Sequence, residues 1–173
     1  MGIIDESGIA RFEVVENFEQ MRALSPLLMA RANEEHCLFA HANLLPHSVF
    51  DADSVSAVLD YWATASRVEV IAAYCSDHRV GLITTQVKSD MNCGQEIKVA
   101  EIIAIYVIES FRKKCIATKF LSLVSARLKK QGVRMVTTSW LIGNTASRKL
   151  YEKFHFEPLL IQAGKLVISE VGQ

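Results

Sequence analysis

The sequence has no excess of charge of either sign. Its 173 residues contain 19 lysines and arginines and 19 aspartates and glutamates, so the formal net charge is zero. Proteins that bind nucleic acid or membranes over their whole surface are usually more basic. We therefore expect neither a nucleic-acid partner nor a membrane partner.

Long hydrophobic runs are also absent. The longest uncharged apolar stretches are about the length of IIAIYVI, residues 102–108, whereas a membrane-spanning helix needs about 20 residues. The first residues, MGIIDESGIARFE, carry acids where a secretory signal requires bases and an apolar run. These features predict no transmembrane segment, no signal peptide and a cytoplasmic location.

Cysteine and histidine motifs for metals are missing. None of the four cysteines forms a C-x-x-C pair, and no cysteine–histidine cluster has zinc-finger spacing. The spacing of His36, His41 and His47 does not place two of them on one helix face as ligands. The sequence predicts reduced cysteines and no metal site.

Repeats, low-complexity tracts and linkers are absent as well. Half of the residues are apolar, which is enough for a real hydrophobic core. A chain of this length usually forms one domain. We therefore expect a single domain over residues 1–173.

Hydrophobic periodicity and capping residues predict a mixed α/β order of elements. The first half reads as a short strand, a helix from Asn17 that breaks near Ser25, an irregular segment over 36–50, and a helix over 55–65 capped by Asp53 or Ser54. The second half reads as strands over 68–74, 80–87 and 97–108, with a polar loop over 89–95. There follow a helix over 116–130 that Gly132 ends, a strand over 133–140, a helix from Asn144 to Lys153, and strands over 157–161 and 166–169.

Charge is distributed unevenly along the chain. Residues 1–60 hold ten acids and three bases, whereas residues 109–134 hold eight bases and one acid. Three of these bases, Arg112, Lys113 and Lys114, come just before a predicted helix. Free backbone N–H groups and the helix dipole make a helix start attractive to phosphates. The junction therefore predicts an anion site, the alternative being an ordinary turn with surface lysines.

Two motifs in this half resemble the GNAT (Gcn5-related N-acetyltransferase) superfamily. The family's pyrophosphate loop, Q/R-x-x-G-x-G/A, aligns with RKKCIA over 112–117. Its downstream motif, N-x-x-A-x-x-L-Y-E-K-x-G-F, aligns with NTASRKLYEKFHF over 144–156. The resemblance implies a mixed, mostly antiparallel central sheet that is splayed at the cofactor site, with helices on both faces. It also implies an acetyl-CoA-binding core over residues 97–156 and acceptor-side helices in residues 1–66.

The resemblance further implies which residues contact acetyl-CoA as a cosubstrate. The strand before the loop would hold the pantetheine arm and acetyl group through the backbone of Ile105, Tyr106 and Val107. The loop and the first helical turn would cradle the pyrophosphate, and Asn144 would orient the cofactor or a water. The loop residues implied are Arg112, Lys113, Lys114, Cys115, Ile116, Ala117 and Thr118.

Two catalytic roles follow from the same resemblance. Tyr151 matches the general acid that protonates the sulfur of coenzyme A, the alternative being a packed helix tyrosine. Glu101, at the opening of the long strand, matches the general base of the histone-type members, the alternative being an edge carboxylate with a surface partner. The implied reaction is acetyl transfer to a primary amine of a small molecule or a peptide.

Two positions depart from the family pattern. Cys115 stands at the first loop glycine, and His155 stands at a glycine that often needs a positive φ. These departures motivate the alternative of a non-catalytic module with weak or lost coenzyme A binding. The acids Glu34, Glu35, Asp51 and Asp53 suit a cationic acceptor, and an apolar C-terminal strand would permit a homodimer.

Overall fold

The computed structural model describes residues 10–41, 51–92, 95–141 and 143–159. These residues form five strands and five α-helices, with a short 3-10 turn at Glu109–Phe111 before α4. In chain order they are β1 (Arg11–Val14), α1 (Phe18–Arg22), α2 (Ser25–His41), α3 (Ala52–Thr64), β2 (Val68–Cys75), β3 (His78–Asn92), β4 (Gln95–Val107), α4 (Ile116–Lys130), β5 (Met135–Thr138) and α5 (Thr145–Lys153).

The strands form one sheet in sequence order, β1-β2-β3-β4-β5. The first four strands pair antiparallel, and β5 pairs parallel to β4. Helices cover both faces, because alternate strand residues point to opposite sides. On β2, Val70 and Ala72 pack with α1, α2 and α3, whereas Ile71 and Ala73 pack with α4. The predicted fold class, a mixed and mostly antiparallel sheet between helices, is confirmed.

A β-bulge in β4 changes which residues face each helical layer. Thr85 pairs with Ile102 and Thr84 with Ala104, so Ile103 has no partner on β3. Before the bulge Ile102 packs with the α4 layer, and after it Ala104 and Tyr106 pack with α1–α3. One extra residue reverses the alternation of a strand. The bulge thereby turns Tyr106 toward α2.

Helix boundaries follow from capping residues and chain breakers. Asn17, Asp51 and Asn144 each cap a helix by accepting a backbone N–H three residues later. Gly132, at φ 75°, follows α4 and confirms the predicted stop. The break near Ser25 is also confirmed, since α1 ends at Arg22 and α2 begins at Ser25.

Three predicted boundaries were wrong. Residues 36–41 are helical rather than irregular, because no glycine or proline follows Pro26 until Pro46. The cap of α3 is Asp51, whose carboxylate accepts the Ser54 N–H at 2.8 Å. Most of the polar loop predicted over 89–95 is strand, because the backbone ladder between β3 and β4 reaches the Asn92–Gln95 pair and needs no apolar side chains.

The predicted C-terminal strands fall largely outside the described residues. Residues 157–159 are described and have no strand assignment. The remainder of the first strand, the whole second strand and the irregular segment over 42–50 lie outside the described part of the chain.

Candidate functional site

The site begins where β5 ends beside β4. Pairing between these strands stops at Ile102 and Thr138, whereas β4 continues to Val107. Within the described chain, no strand pairs with residues 103–107 along this edge. Backbone groups there that point away from β3 open into a cleft of about 940 Å³. Because the two strands diverge, the edge of β4 beyond Ile102 presents backbone N–H and C=O groups that have no strand partner on this side.

The N-terminus of α4 lies at one end of this cleft. Cys115 occupies the N-cap position in the left-handed conformation, with φ 60° and ψ 10°. The next residues, Ile116, Ala117 and Thr118, line the cleft, and the first N–H groups of a helix have no partner within the helix. The exposed amides and the helix dipole favour an anion at this end.

The three bases before α4 have different surroundings. Lys113 lines the cleft. Lys114 does not line it, and its ammonium lies 4.8 Å from the centre of the Phe111 ring. Arg112 lines it but donates from Nε to the Val107 carbonyl oxygen at 2.9 Å. Of the sequence-predicted cofactor contacts, Lys114 alone is not brought to the cleft.

Glu34 of α2 joins the helical layer to β4. Its carboxylate accepts the Tyr106 hydroxyl at 2.8 Å and the Arg112 guanidinium at 2.5 Å. Burial, together with the hydrogen bond to this carboxylate, raises the pKa of Tyr106 to about 12. Tyr106 is therefore a neutral donor, and Glu34 and Arg112 form a paired charge in the cleft wall.

Tyr151 lines the same cleft and is almost completely buried. Its ring contacts Trp140 at a centroid distance of 5.5 Å and Phe156 at 5.3 Å. Burial raises its pKa, while a hydrogen bond with Thr138 and the positive charge of Arg31 oppose that rise. Because groups of β5 and of α2 both affect the pKa of Tyr151, its phenol lies near both elements.

The end of α5 fixes the position of Tyr151. His155 has φ 62°, its N–H donates to the Glu152 carbonyl at 3.0 Å, and the Phe156 N–H donates to the Tyr151 carbonyl at 3.1 Å. This is a Schellman motif, in which the residue after the left-handed position packs onto the last helical turn. The positive φ expected at His155 is confirmed, and its consequence is the Phe156–Tyr151 contact.

Glycine is expected to stabilise the protein at Cys115 and at His155, where the backbone is left-handed. A non-glycine residue with a left-handed backbone lowers the stability of the folded state by about 1–2 kcal/mol. Replacing it with glycine recovers only about half of this, because glycine loses more conformational entropy on folding. Cys115→Gly and His155→Gly should each raise the free energy of unfolding by about 0.5–1 kcal/mol, measured by urea denaturation. His155→Ala is the control, since it retains the Cβ and should bring no gain. A loss of stability in both glycine variants would contradict the assignment.

The structure brings Asn144 to the cleft but not Glu101. Asn144 lines the cleft and caps α5, its side chain accepting the Ser147 N–H at 3.0 Å. Glu101 does not open β4 but lies in its middle, and its carboxylate is 2.6 Å from the Lys88 ammonium. It does not line the cleft. The structure therefore favours the alternative, a carboxylate with a surface partner, and the role of Glu101 as the base stays a prediction.

Several cleft residues carry no sequence motif that identifies them. Arg31, Glu34 and Glu35 come from α2, and Thr138 and Trp140 come from the end of β5. The acidic composition pointed to Glu34 and Glu35 but not to their ion-pair partners. Asp51 and Asp53, from the same acidic group, do not line the cleft.

The described ranges contain neither a metal-holding group of side chains nor a helix suited to cross a membrane. Among those residues, no group of three or more histidines, cysteines, aspartates or glutamates is arranged to hold a metal ion. None of the helices in the described ranges has the length and apolar character needed to cross a membrane.

Sequence comparison identifies one family. The profile of the acetyltransferase (GNAT) family matches residues 22–156. This range contains the cleft, the α4 N-terminus and α5, and the predicted resemblance is confirmed. A search of curated protein sequences gave no match.

Solved structures with the same fold have low sequence identity to this chain. A transcriptional regulator from Bacillus halodurans is 11% identical with a TM-score of 0.71, covering 91% of this chain and 99% of its own. An aminoglycoside acetyltransferase from an uncultured soil metagenomic sample is 14% identical, with a TM-score of 0.66 and coverages of 95% and 100%. A ribosomal-protein-alanine N-acetyltransferase from Brucella melitensis is 15% identical, with a TM-score of 0.62 and coverages of 91% and 98%. At these identities the likeness shows the fold.

Proposed function

Because the chain belongs to the acetyltransferase (GNAT) family, we propose that it transfers the acetyl group of acetyl-CoA to a primary amine. The observation that carries the proposal is the cleft itself. It joins an anion-attracting helix start, an unpaired strand edge and a buried tyrosine in one continuous space. The acceptor is a small molecule or a peptide, and relatives of this fold are named for both kinds of acceptor.

The residues present fit acetyl-CoA in both shape and chemistry. At about 940 Å³ the cleft lies at the upper end of the range for small-molecule sites. We propose that the amides at the start of α4 and Lys113 hold the pyrophosphate. The edge of β4 over Ile105–Val107, which has no strand partner on this side, would then hold the pantetheine arm, as an added strand would be held. Arg112 contributes indirectly, since it is already bound to Glu34 and to the Val107 carbonyl.

The proposed chemistry divides between backbone and side chains. When bound, acetyl-CoA supplies a thioester whose carbonyl carbon accepts the amine nitrogen as the carbon–sulfur bond breaks. A backbone N–H of β4 near Tyr106 or Val107 donates to the carbonyl oxygen, where negative charge develops. Tyr151 gives its proton to the departing sulfur, and its raised pKa keeps the phenol protonated until that moment. The proton that the amine nitrogen releases as the carbon–nitrogen bond forms returns to the Tyr151 oxygen, which restores the phenol for the next turnover.

Cofactor binding is tested by thermal unfolding. Acetyl-CoA at a hundredfold excess over its Kd is expected to stabilise the protein by about 2.7 kcal/mol. For a chain of this length that corresponds to a rise in Tm of about 5–11 °C. Adenosine 3′,5′-bisphosphate, which lacks the pantetheine arm, should give a smaller rise. No shift at millimolar acetyl-CoA would contradict the proposal and favour a non-catalytic module.

Two neighbouring lysines provide a matched pair for the same measurement. We expect Lys113→Glu to weaken acetyl-CoA binding by about tenfold or more, because it replaces a cation of the cleft with an anion. Lys114→Glu makes the same charge change on a residue whose ammonium lies against Phe111. Equal weakening in both variants would show that only the overall charge matters and would refute the placement of Lys113.

A further inference from the structure

A second, smaller pocket lies between α2 and α3. Its volume is about 150 Å³, and its apolar wall consists of Leu28, Ala32, Val55 and Val58. Leu28, Ala32 and Val55 are buried, whereas Val58 is 36% exposed and forms an edge. The pocket is therefore apolar at its base and accessible at its rim.

The pocket adjoins the main cleft through one ion pair. Arg31 and Glu35 line both cavities, with their side chains 2.8 Å apart. Arg31 also acts electrostatically on Tyr151. The pocket and the cleft therefore meet at the Arg31–Glu35 pair of α2. A molecule that presents a nitrogen to the cleft beside this pair can place its other end in the pocket.

The charges of the cleft wall are already balanced. Glu35 is paired with Arg31, and Glu34 with Arg112. The remaining charged groups that line the cleft in the described residues are Glu109 and Lys113, one of each sign. The wall therefore carries no excess of negative charge for a polycation such as an aminoglycoside.

We propose that the acceptor is a monoamine carrying one compact apolar group of about five or six carbons, which occupies the pocket between α2 and α3. This inference rests on the proposed acetyl transfer and narrows it to a substrate class. A cavity of about 150 Å³ lined by aliphatic side chains is large enough to hold a benzene ring.

The test measures kcat/KM for acetyl transfer to ethylamine, butylamine, isopentylamine, phenethylamine and an aminoglycoside. From ethylamine to isopentylamine we expect a rise of roughly fourfold per added methylene, the factor that about 0.8 kcal/mol of burial gives. The aminoglycoside should be the poorest acceptor. A flat series, or the highest kcat/KM with the aminoglycoside, would overturn the inference.

Two variants of α3 localise the effect. Val58→Phe places a ring at the rim of the pocket and should lower kcat/KM for phenethylamine by at least tenfold more than it lowers kcat/KM for ethylamine. Ala57→Phe adds a ring on the neighbouring exposed residue, which does not line the pocket, and should leave both substrates unchanged. Equal losses in the two variants would place the apolar group elsewhere and overturn the inference.

The outcomes separate this inference from the proposed function. Transfer to amines without a preference for apolar groups overturns the inference alone. Absence of transfer to every amine, together with absence of stabilisation by acetyl-CoA, overturns the proposed function and the inference with it.

Discussion

Tyr151→Phe is expected to lower kcat by about 10²–10⁴-fold, the usual contribution of a positioned general acid or base. The variant removes one oxygen from a buried ring and keeps the contacts with Trp140 and Phe156. Binding of acetyl-CoA should therefore remain unchanged, because the proposed binding groups lie on β4 and at the start of α4. The measurement combines steady-state kinetics with the thermal shift given by acetyl-CoA.

A second tyrosine variant controls for a general effect of losing a hydroxyl. Tyr61 lies on α3, is 53% exposed and accepts a hydrogen bond from the Gln86 side chain at 3.2 Å. Tyr61→Phe should leave kcat unchanged. If Tyr151→Phe retained full turnover, Tyr151 would be excluded from the mechanism. If acetyl-CoA binding fell along with turnover, the role of Tyr151 would be structural.

Phe120→Ala is expected to destabilise the protein by about 3–5 kcal/mol, which is the usual range for emptying a buried aromatic site. Phe120 is fully buried on α4 and meets Phe12 edge-on, with ring centroids 5.1 Å apart. It also packs under Gly81, where an added Cβ would lie 3.3 Å from the ring and 2.7 Å from the Tyr106 carbonyl oxygen. The ring thus supports β3 and β4 beside the cleft.

Urea denaturation of Phe120→Ala should be compared with that of Phe18→Ala. Phe18 is 43% exposed on α1, where the Arg22 guanidinium lies over its ring at 4.4 Å. Its loss should cost about 1 kcal/mol or less, because little apolar area leaves the core. Similar losses of stability in the two variants would contradict the view that Phe120 holds the sheet to α4.

Local sequence signals predicted elements with a strong period or a clear cap. The apolar stripe of α4, the Asn144 cap of α5 and the Gly132 stop are formed by neighbouring residues, and the structure has all three. The far end of the hairpin between β3 and β4 was missed because it depends on pairing between two strands. Residues 88–91 of β3 are exposed on both faces, so they leave no alternating pattern to detect.

The candidate site was likewise predicted from the sequence only in part. The family motifs placed Tyr151, Asn144 and most of the loop beside one cleft, where the structure has them. They also predicted Glu101 as a base, but the cross-strand contact with Lys88 holds it outside the cleft. Lys88 and Glu101 are thirteen residues apart and meet only through strand register. No local sequence pattern predicts such a pair.

The sequence by itself determined the family, the order of most elements and the left-handed backbone at His155, since each depends on residues near one another in the chain. The tertiary structure decided where the cleft opens, because that requires β5 to stop at Thr138 while β4 continues. It also decided which charges are neutralised, because Glu34 reaches Tyr106 and Arg112 across more than seventy residues. Long-range pairing sets these features, and hydrophobic periodicity does not encode the identity of a distant partner.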